Sequence, residues 1–235
     1  MLKHRLITCP LVLLPMLFLG TTASASECAT SLLSAQSGKS WLYEVAYKGM
    51  GTQAQRKLSQ LEGGWRLEQS MSLLIVSLNE ESRMELSGNE LLTKSYIKEQ
   101  KGLGARTTKI SLDSNSGLVR TEYKGETQSY PYKGKPSDPL AHTLQIQIDR
   151  NCRSLDDPLE YNLLGRGGVR SYIYKFQGEE TLASPWGEVV AERWQRDAAE
   201  VRDTLWLAPE QQYALVRMEH AEKGELSSLQ LQEIR

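Results

Sequence analysis

Thiols, imidazoles and paired acids carry most protein chemistry, and this chain holds few of them. Of its three cysteines and three histidines, Cys9 and His4 fall in an apolar leader with its basic start. Cys28, Cys152, His142 and His220 stand singly along the rest. Zinc sites draw ligands from close pairs such as C-x2-C or H-x3-H, so this scatter assigns no metal. A nucleophile–base–acid arrangement is not readable either. There is no G-x-S-x-G elbow, and neither His142 nor His220 has an evident Ser and Asp supporting it. Asp156-Asp157 precede Pro158 and read as a solvated turn rather than an acid–base pair. Gly38-Lys39-Ser40 resembles the end of a phosphate-binding loop, but Leu33 occupies the position of its first glycine. Gly165-Arg166-Gly167-Gly168 lacks the strand–turn–helix setting of a dinucleotide site and reads as a flexible connection. The residues therefore predict no catalytic group, no metal and no cofactor.

The leader sets the compartment. Lys3, His4 and Arg5 are followed by an apolar run from Leu6 to Gly20, then by Ala23-Ser24-Ala25. Basic start, apolar middle and small-residue end make a signal peptide cleaved after Ala25, leaving one domain over 26–235. The run contains Pro10 and Pro15 and falls short of the roughly 20 residues that span a bilayer as a helix. Glu27 stands before Cys28 where an acylated cysteine needs a small residue, so a soluble product is expected. Cleavage leaves Cys28 and Cys152, and an exported chain with two cysteines predicts one disulfide. The competing reading is two unpaired buried thiols. The bridge would close a loop of roughly 120 residues and contribute about 4–5 kcal/mol in the chain-entropy model.

Charge excludes one partner class. The chain has 28 Lys and Arg against 29 Asp and Glu, and its leader holds two of the bases and none of the acids. Acids and bases interleave, as in Lys98-Glu99-Gln100-Lys101, where phosphate binding needs a concentrated positive face. Nucleic acid is not expected.

What remains is architecture. Trp41, Tyr43, Val45 and Tyr47 alternate with Leu42, Glu44, Ala46 and Lys48, the period of a half-buried strand. Similar short segments recur between glycine-bearing turns through Ile234, including Tyr172, Tyr174 and Phe176 against Ser171, Ile173 and Lys175. Trp65 to Leu78 reads as one long strand, apolar on both faces or shifted by a bulge. About a dozen strands are too many for a flat open sheet, which predicts an all-β fold: a curled, open, antiparallel, barrel-like sheet. One segment departs from the pattern. Asp138 as N-cap and Pro139 at the first helical position open a stripe of Leu140, Leu144 and Ile148, an amphipathic helix to about Arg150. It is expected inside the curl, with a second short helix near Ala29–Ala35. Charges such as Glu44, Lys48 and Lys175 on the faces opposite the aromatics exclude a lipid-facing band, so the chain is not expected to be integral to a membrane.

Four stretches occur in a telling order: Trp41-Leu42-Tyr43-Glu44-Val45-Ala46-Tyr47-Lys48-Gly49; Ser137-Asp138-Pro139-Leu140; Tyr172 to Glu180 with Pro185-Trp186-Gly187; and Thr204-Leu205-Trp206-Leu207-Ala208-Pro209. Together they resemble the exported bacterial family called domain of unknown function 3108. The resemblance implies a Gram-negative periplasmic protein, an open β-barrel around a helix, and no catalytic residues. Two functions follow as expectations. One is a non-enzymatic carrier or sensor of an apolar envelope ligand, a lipid or acylated peptide. Its candidate lining is Trp41, Tyr43, Val45 and Tyr47 with Tyr172 and Tyr174, facing Leu140, Leu144 and Ile148, and the competing reading makes these residues a dry core. The other is an envelope-maintenance module that binds a protein or cell-wall partner.

Overall fold

The computed structural model describes residues 25–47, 49–113, 115–153 and 158–235. Residues 1–24 of the expected leader, Lys48 and the Asp156-Asp157 pair lie outside them. Its frame is a single 14-stranded sheet with antiparallel neighbours throughout. The first half comprises β1 (Ser40–Tyr47), β2 (Met50–Leu61), β3 (Gly64–Leu73), β4 (Val76–Ser87), β5 (Glu90–Gly102), β6 (Arg106–Asp113), β7 (Leu118–Tyr123) and β8 (Glu126–Pro131). The second half comprises β9 (Leu159–Gly165), β10 (Gly168–Ser184), β11 (Gly187–Ala198), β12 (Val201–Ala208), β13 (Ala214–Glu222) and β14 (Glu225–Ile234). Each half is a meander, and β1 pairs with β14 to join them, leaving β8 and β9 as the two edges.

The edges approach each other without pairing as strands. Tyr130 Oη donates to the Gly165 carbonyl at 2.6 Å and Thr121 Oγ1 to the Arg166 carbonyl at 2.8 Å. The sheet is thus curled and open, as expected, with a seam bridged by side chains.

Three local readings are corrected. Trp65–Leu78 is not one strand: β3 and β4 form a hairpin that turns at Leu74-Ile75, so its two apolar faces belong to two strands. Nothing at the turn signals it, because Leu74 takes a left-handed φ of 53° that glycine or asparagine would normally supply. The short alternating segment around Tyr172, Tyr174 and Phe176 is part of one 17-residue strand, β10, which continues past a bulge between Phe176 and Glu179. The glycine-rich stretch at Gly165–Gly168 is the turn of the β9–β10 hairpin, and β9 was not foreseen.

Two α-helices occupy the concave side: α1 (Ala25–Gln36) and α2 (Pro139–Cys152). Asp138 caps α2 and Pro139 stands in its first turn, as the sequence predicts. Leu140, Leu144 and Ile148 are buried, but so are His142, Gln145, Ile146, Gln147 and Asp149. A helix with sheet around it has no solvent side, so its polar flank is buried too and must find partners. Gln145 does: its Oε1 accepts from the Leu91 N–H at 2.7 Å and its Nε2 donates to the Asn89 carbonyl at 3.0 Å. Arg56, on the inner face of β2, donates to Thr143 Oγ1 at 3.0 Å and ties sheet to helix. Ala29, Leu32 and Leu33 bury one side of α1, and the Cys28–Cys152 disulfide fastens it to the last residue of α2.

Candidate functional site

Most of the expected lining residues do not surround a hollow. Trp41, Tyr43 and Val45 are buried on the inner face of β1 against the helices, and Leu140, Leu144 and Ile148 meet them from α2. The space left between Trp41, Tyr43, Leu67 and Leu144 measures about 20 Å³, room for no more than one water. Trp41, Tyr43, Leu140, Leu144 and Ile148 therefore pack as core, while Val45, farther along β1, reaches the open end of the interior. Tyr47 departs from the group: it lies at the end of β1 and is exposed.

Tyr172 and Tyr174 belong elsewhere, around His142. The His142 ring stacks on Tyr174 at 5.6 Å between centroids and meets Tyr161 and Tyr172 edge-on at 4.8 and 5.8 Å. Its Nε2 lies 3.2 Å from Tyr174 Oη, while its Nδ1 is buried without a hydrogen-bond partner. Burial, with the nearby Arg196 guanidinium second, pushes the imidazole down to about 3, so it is neutral at ordinary pH. Burial likewise raises the Tyr174 and Tyr161 hydroxyls well above the ordinary tyrosine range. The four rings pack against one another, and Tyr161 also lines a recess of about 360 Å³ beside Asp149 and Arg153.

Open concavity lies above the helix, at the end of the sheet where the β1–β2, β3–β4, β5–β6 and β13–β14 hairpins turn. A trough of about 170 Å³ runs along the inner face there, floored by Val45, Ala54, Met71, Met218 and Leu229. Register explains the apolar floor. Leu229 is directly opposite both Val45 and Met218, and Ala54 is opposite Met71, so all five project to the same side. Tyr47, His220 and Ser227 form the lip that the trough shares with a polar recess of about 440 Å³ holding Glu222, Lys223 and Glu225.

His220 is not isolated. Its Nδ1 lies 2.6 Å from Asp203 Oδ1, and Arg196 donates from Nε to Asp203 Oδ2 at 2.8 Å. Arg196 also stacks over the Tyr172 ring at 3.8 Å. The expectation that His220 lacks an acidic companion is therefore corrected. Asp203 on β12 and His220 on β13 are register partners 17 residues apart, a relationship that depends on strand pairing and leaves no local motif. Ser227, opposite His220 on β14, donates to the His220 carbonyl at 3.3 Å rather than to the ring. The arrangement offers an apolar floor with a carboxylate-oriented imidazole at its edge. It suits holding an amphiphile, and no hydroxyl nucleophile is delivered to the imidazole by Ser227.

No cluster of three or more metal-ligating side chains occurs among the described residues, and none of their helices is long and apolar enough to cross a membrane. No family model and no curated protein matches the chain. Solved structures do. A β-barrel-like protein of domain of unknown function DUF1849 from Brucella abortus superposes with a TM-score of 0.57 at 8% identity, over 83% of this chain and 96% of that one. A "putative lipoprotein" from Parabacteroides distasonis aligns over 85% of this chain and 95% of that one at 14% identity, but its TM-score of 0.35 supports no fold assignment. The first likeness shows the fold: an antiparallel, barrel-like sheet.

Proposed function

We propose that this chain is an exported, non-enzymatic protein of the bacterial envelope that holds an apolar or amphiphilic molecule in the mouth trough. The observation that carries the reading is the continuity of the floor of Val45, Ala54, Met71, Met218 and Leu229 with the polar lip at Tyr47 and His220. Concave apolar surface with a few convergent polar groups is the general form of a ligand site. At about 170 Å³ the trough is smaller than the roughly 300–1,000 Å³ of pockets that engulf a small molecule. It suits one acyl segment laid along the wall, its polar end at the recess. The leader supports a periplasmic location, and the motif order of Trp41–Gly49, Ser137–Leu140 and Thr204–Pro209 supports kinship with domain of unknown function 3108.

The test is an acyl-chain fluorescent probe titrated into the purified protein, beside solvent extraction and mass spectrometry of protein taken from periplasm. Met71→Glu places a charge on the floor, and about tenfold weaker probe binding is expected. Equal binding by wild type and variant, with no lipid in the extract, would remove the proposal. The envelope-maintenance alternative then stands, tested by in-cell crosslinking.

A further inference from the structure

The hairpin tips around the mouth carry large apolar side chains into solvent. Leu74 is 85% exposed, Ile75 71%, Leu103 70% and Met50 38%. Scattered exposed leucines are ordinary, but a contiguous set marks a contact surface. Contiguity follows from the pairing. Thr52 Oγ1 on β2 donates to the Ser72 carbonyl on β3, beside the Leu74-Ile75 turn. On the other side, Gly102 abuts the backbone of Ile75, whose carbonyl oxygen lies 1.7 Å from where a Cβ on Gly102 would sit. Met50, Leu74-Ile75 and Leu103 thus follow one another along adjacent strands.

Two further facts select the occupant. Residues 49–55, 69–79 and 100–108, which build the three tips and their approaches, contain no acid and two charges, Lys101 and Arg106. Lys101 has one surface ion pair, to Glu99 at 3.2 Å, a contact of small worth. Leu74, Ile75 and Leu103 sit on the turns between strands, with Leu74 at a positive φ, and Met50 opens β2. Apolar tips whose own segments carry only the bases Lys101 and Arg106 match a deformable medium with an apolar interior and an anionic surface.

We infer that the Met50, Leu74-Ile75 and Leu103 tips are a docking edge for an anionic lipid bilayer, into whose interface they insert while Lys101 and Arg106 meet the head groups. The inference stands on the tips alone and holds whether or not the trough carries a ligand.

Flotation of the purified protein with vesicles tests it. Vesicles of phosphatidylglycerol and phosphatidylethanolamine should carry the wild type, and vesicles of phosphatidylcholine several-fold less. The triple variant Leu74→Ser, Ile75→Ser, Leu103→Ser should lose at least tenfold in the anionic arm. These positions are exposed, so an unchanged unfolding midpoint and unchanged acyl-probe binding verify that the fold and the trough survive. Leu118→Ser, an exposed leucine at the opposite end of the sheet, should float like wild type. Failure of wild type to float, or equal flotation of the triple variant, overturns the inference. So does concentration-dependent self-association, without lipid, that the triple variant abolishes, since the edge would then join copies of this chain.

Discussion

Asp138 and Thr93 exchange two hydrogen bonds: the Thr93 hydroxyl donates to Asp138 Oδ2 at 2.8 Å and accepts from the Asp138 N–H at 2.9 Å. Ser82 Oγ donates to the same Oδ2 at 2.6 Å, while Oδ1 caps α2 by accepting from the N–H groups of Leu140 and Ala141, both at 2.9 Å. One fully buried side chain thus fastens the internal helix to β4 and β5. Removing it as Asp138→Ala deletes a cap worth about 0.5–2 kcal/mol and strands buried donors at about 1–3 kcal/mol. A loss of about 2–5 kcal/mol is expected in urea unfolding. Asp138→Asn keeps the capping oxygen and should lose about half as much; a loss under about 1 kcal/mol for the alanine variant contradicts this account.

His142 makes stability depend on pH with a definite sign. Its folded value of about 3 lies below the unfolded value near 6.5, so between these the unfolded chain binds the extra proton. Stability contributed by the neutral buried ring is complete above about pH 6.5 and declines as pH falls toward 3, by at most about 1.4 kcal/mol per unit. Burial raises the Asp138 and Asp149 carboxyls, which act in the opposite sense. The difference between wild type and His142→Gln isolates the imidazole. Unfolding measured from pH 7 to 4 should show a shallower acid loss in the variant, and parallel profiles would exclude the effect.

The Cys28–Cys152 bridge spans 124 residues of sequence and ties α1 to α2. Replacing both cysteines by serine should lower stability by about 4–5 kcal/mol on the chain-entropy estimate. Alkylation of the denatured, unreduced protein should modify neither Cys28 nor Cys152. Modification of both would refute the bridge.

Gly102 has a φ of +85°, and an added Cβ would meet the Ile75 carbonyl at 1.7 Å. Gly102→Ala therefore forces the β3–β4 and β5–β6 tips apart at a cost of at least about 2 kcal/mol. Gly88→Ala, at φ +67° with open space around it, suffers only the backbone conflict and should lose less. Thermal unfolding of the two variants side by side checks the order.

Much of this fold was legible because it follows from period and punctuation. The alternation of Trp41, Tyr43 and Val45 and the Asp138-Pro139 helix start needed no tertiary knowledge. The Leu74-Ile75 turn was hidden because apolar residues occupy it, and the bulged β10 because one strand there changes phase. The interior was harder. Aromatic residues on a concave face look alike whether they line a ligand space or fill it, and only the position of α2 decides that they fill it. The Asp203–His220 pair and the trough floor depend on register across β12, β13, β14 and β1, which no single segment encodes.

The union of β1 with β14 joins residues such as Trp41 and Ile234, roughly 190 positions apart, at the middle of the sheet. The first strand to be synthesised must wait for the last before the two meanders become one body. A nascent chain therefore cannot reach the finished form while its last strand is still missing. Its decisive closure is postponed until nearly the whole polypeptide has been made.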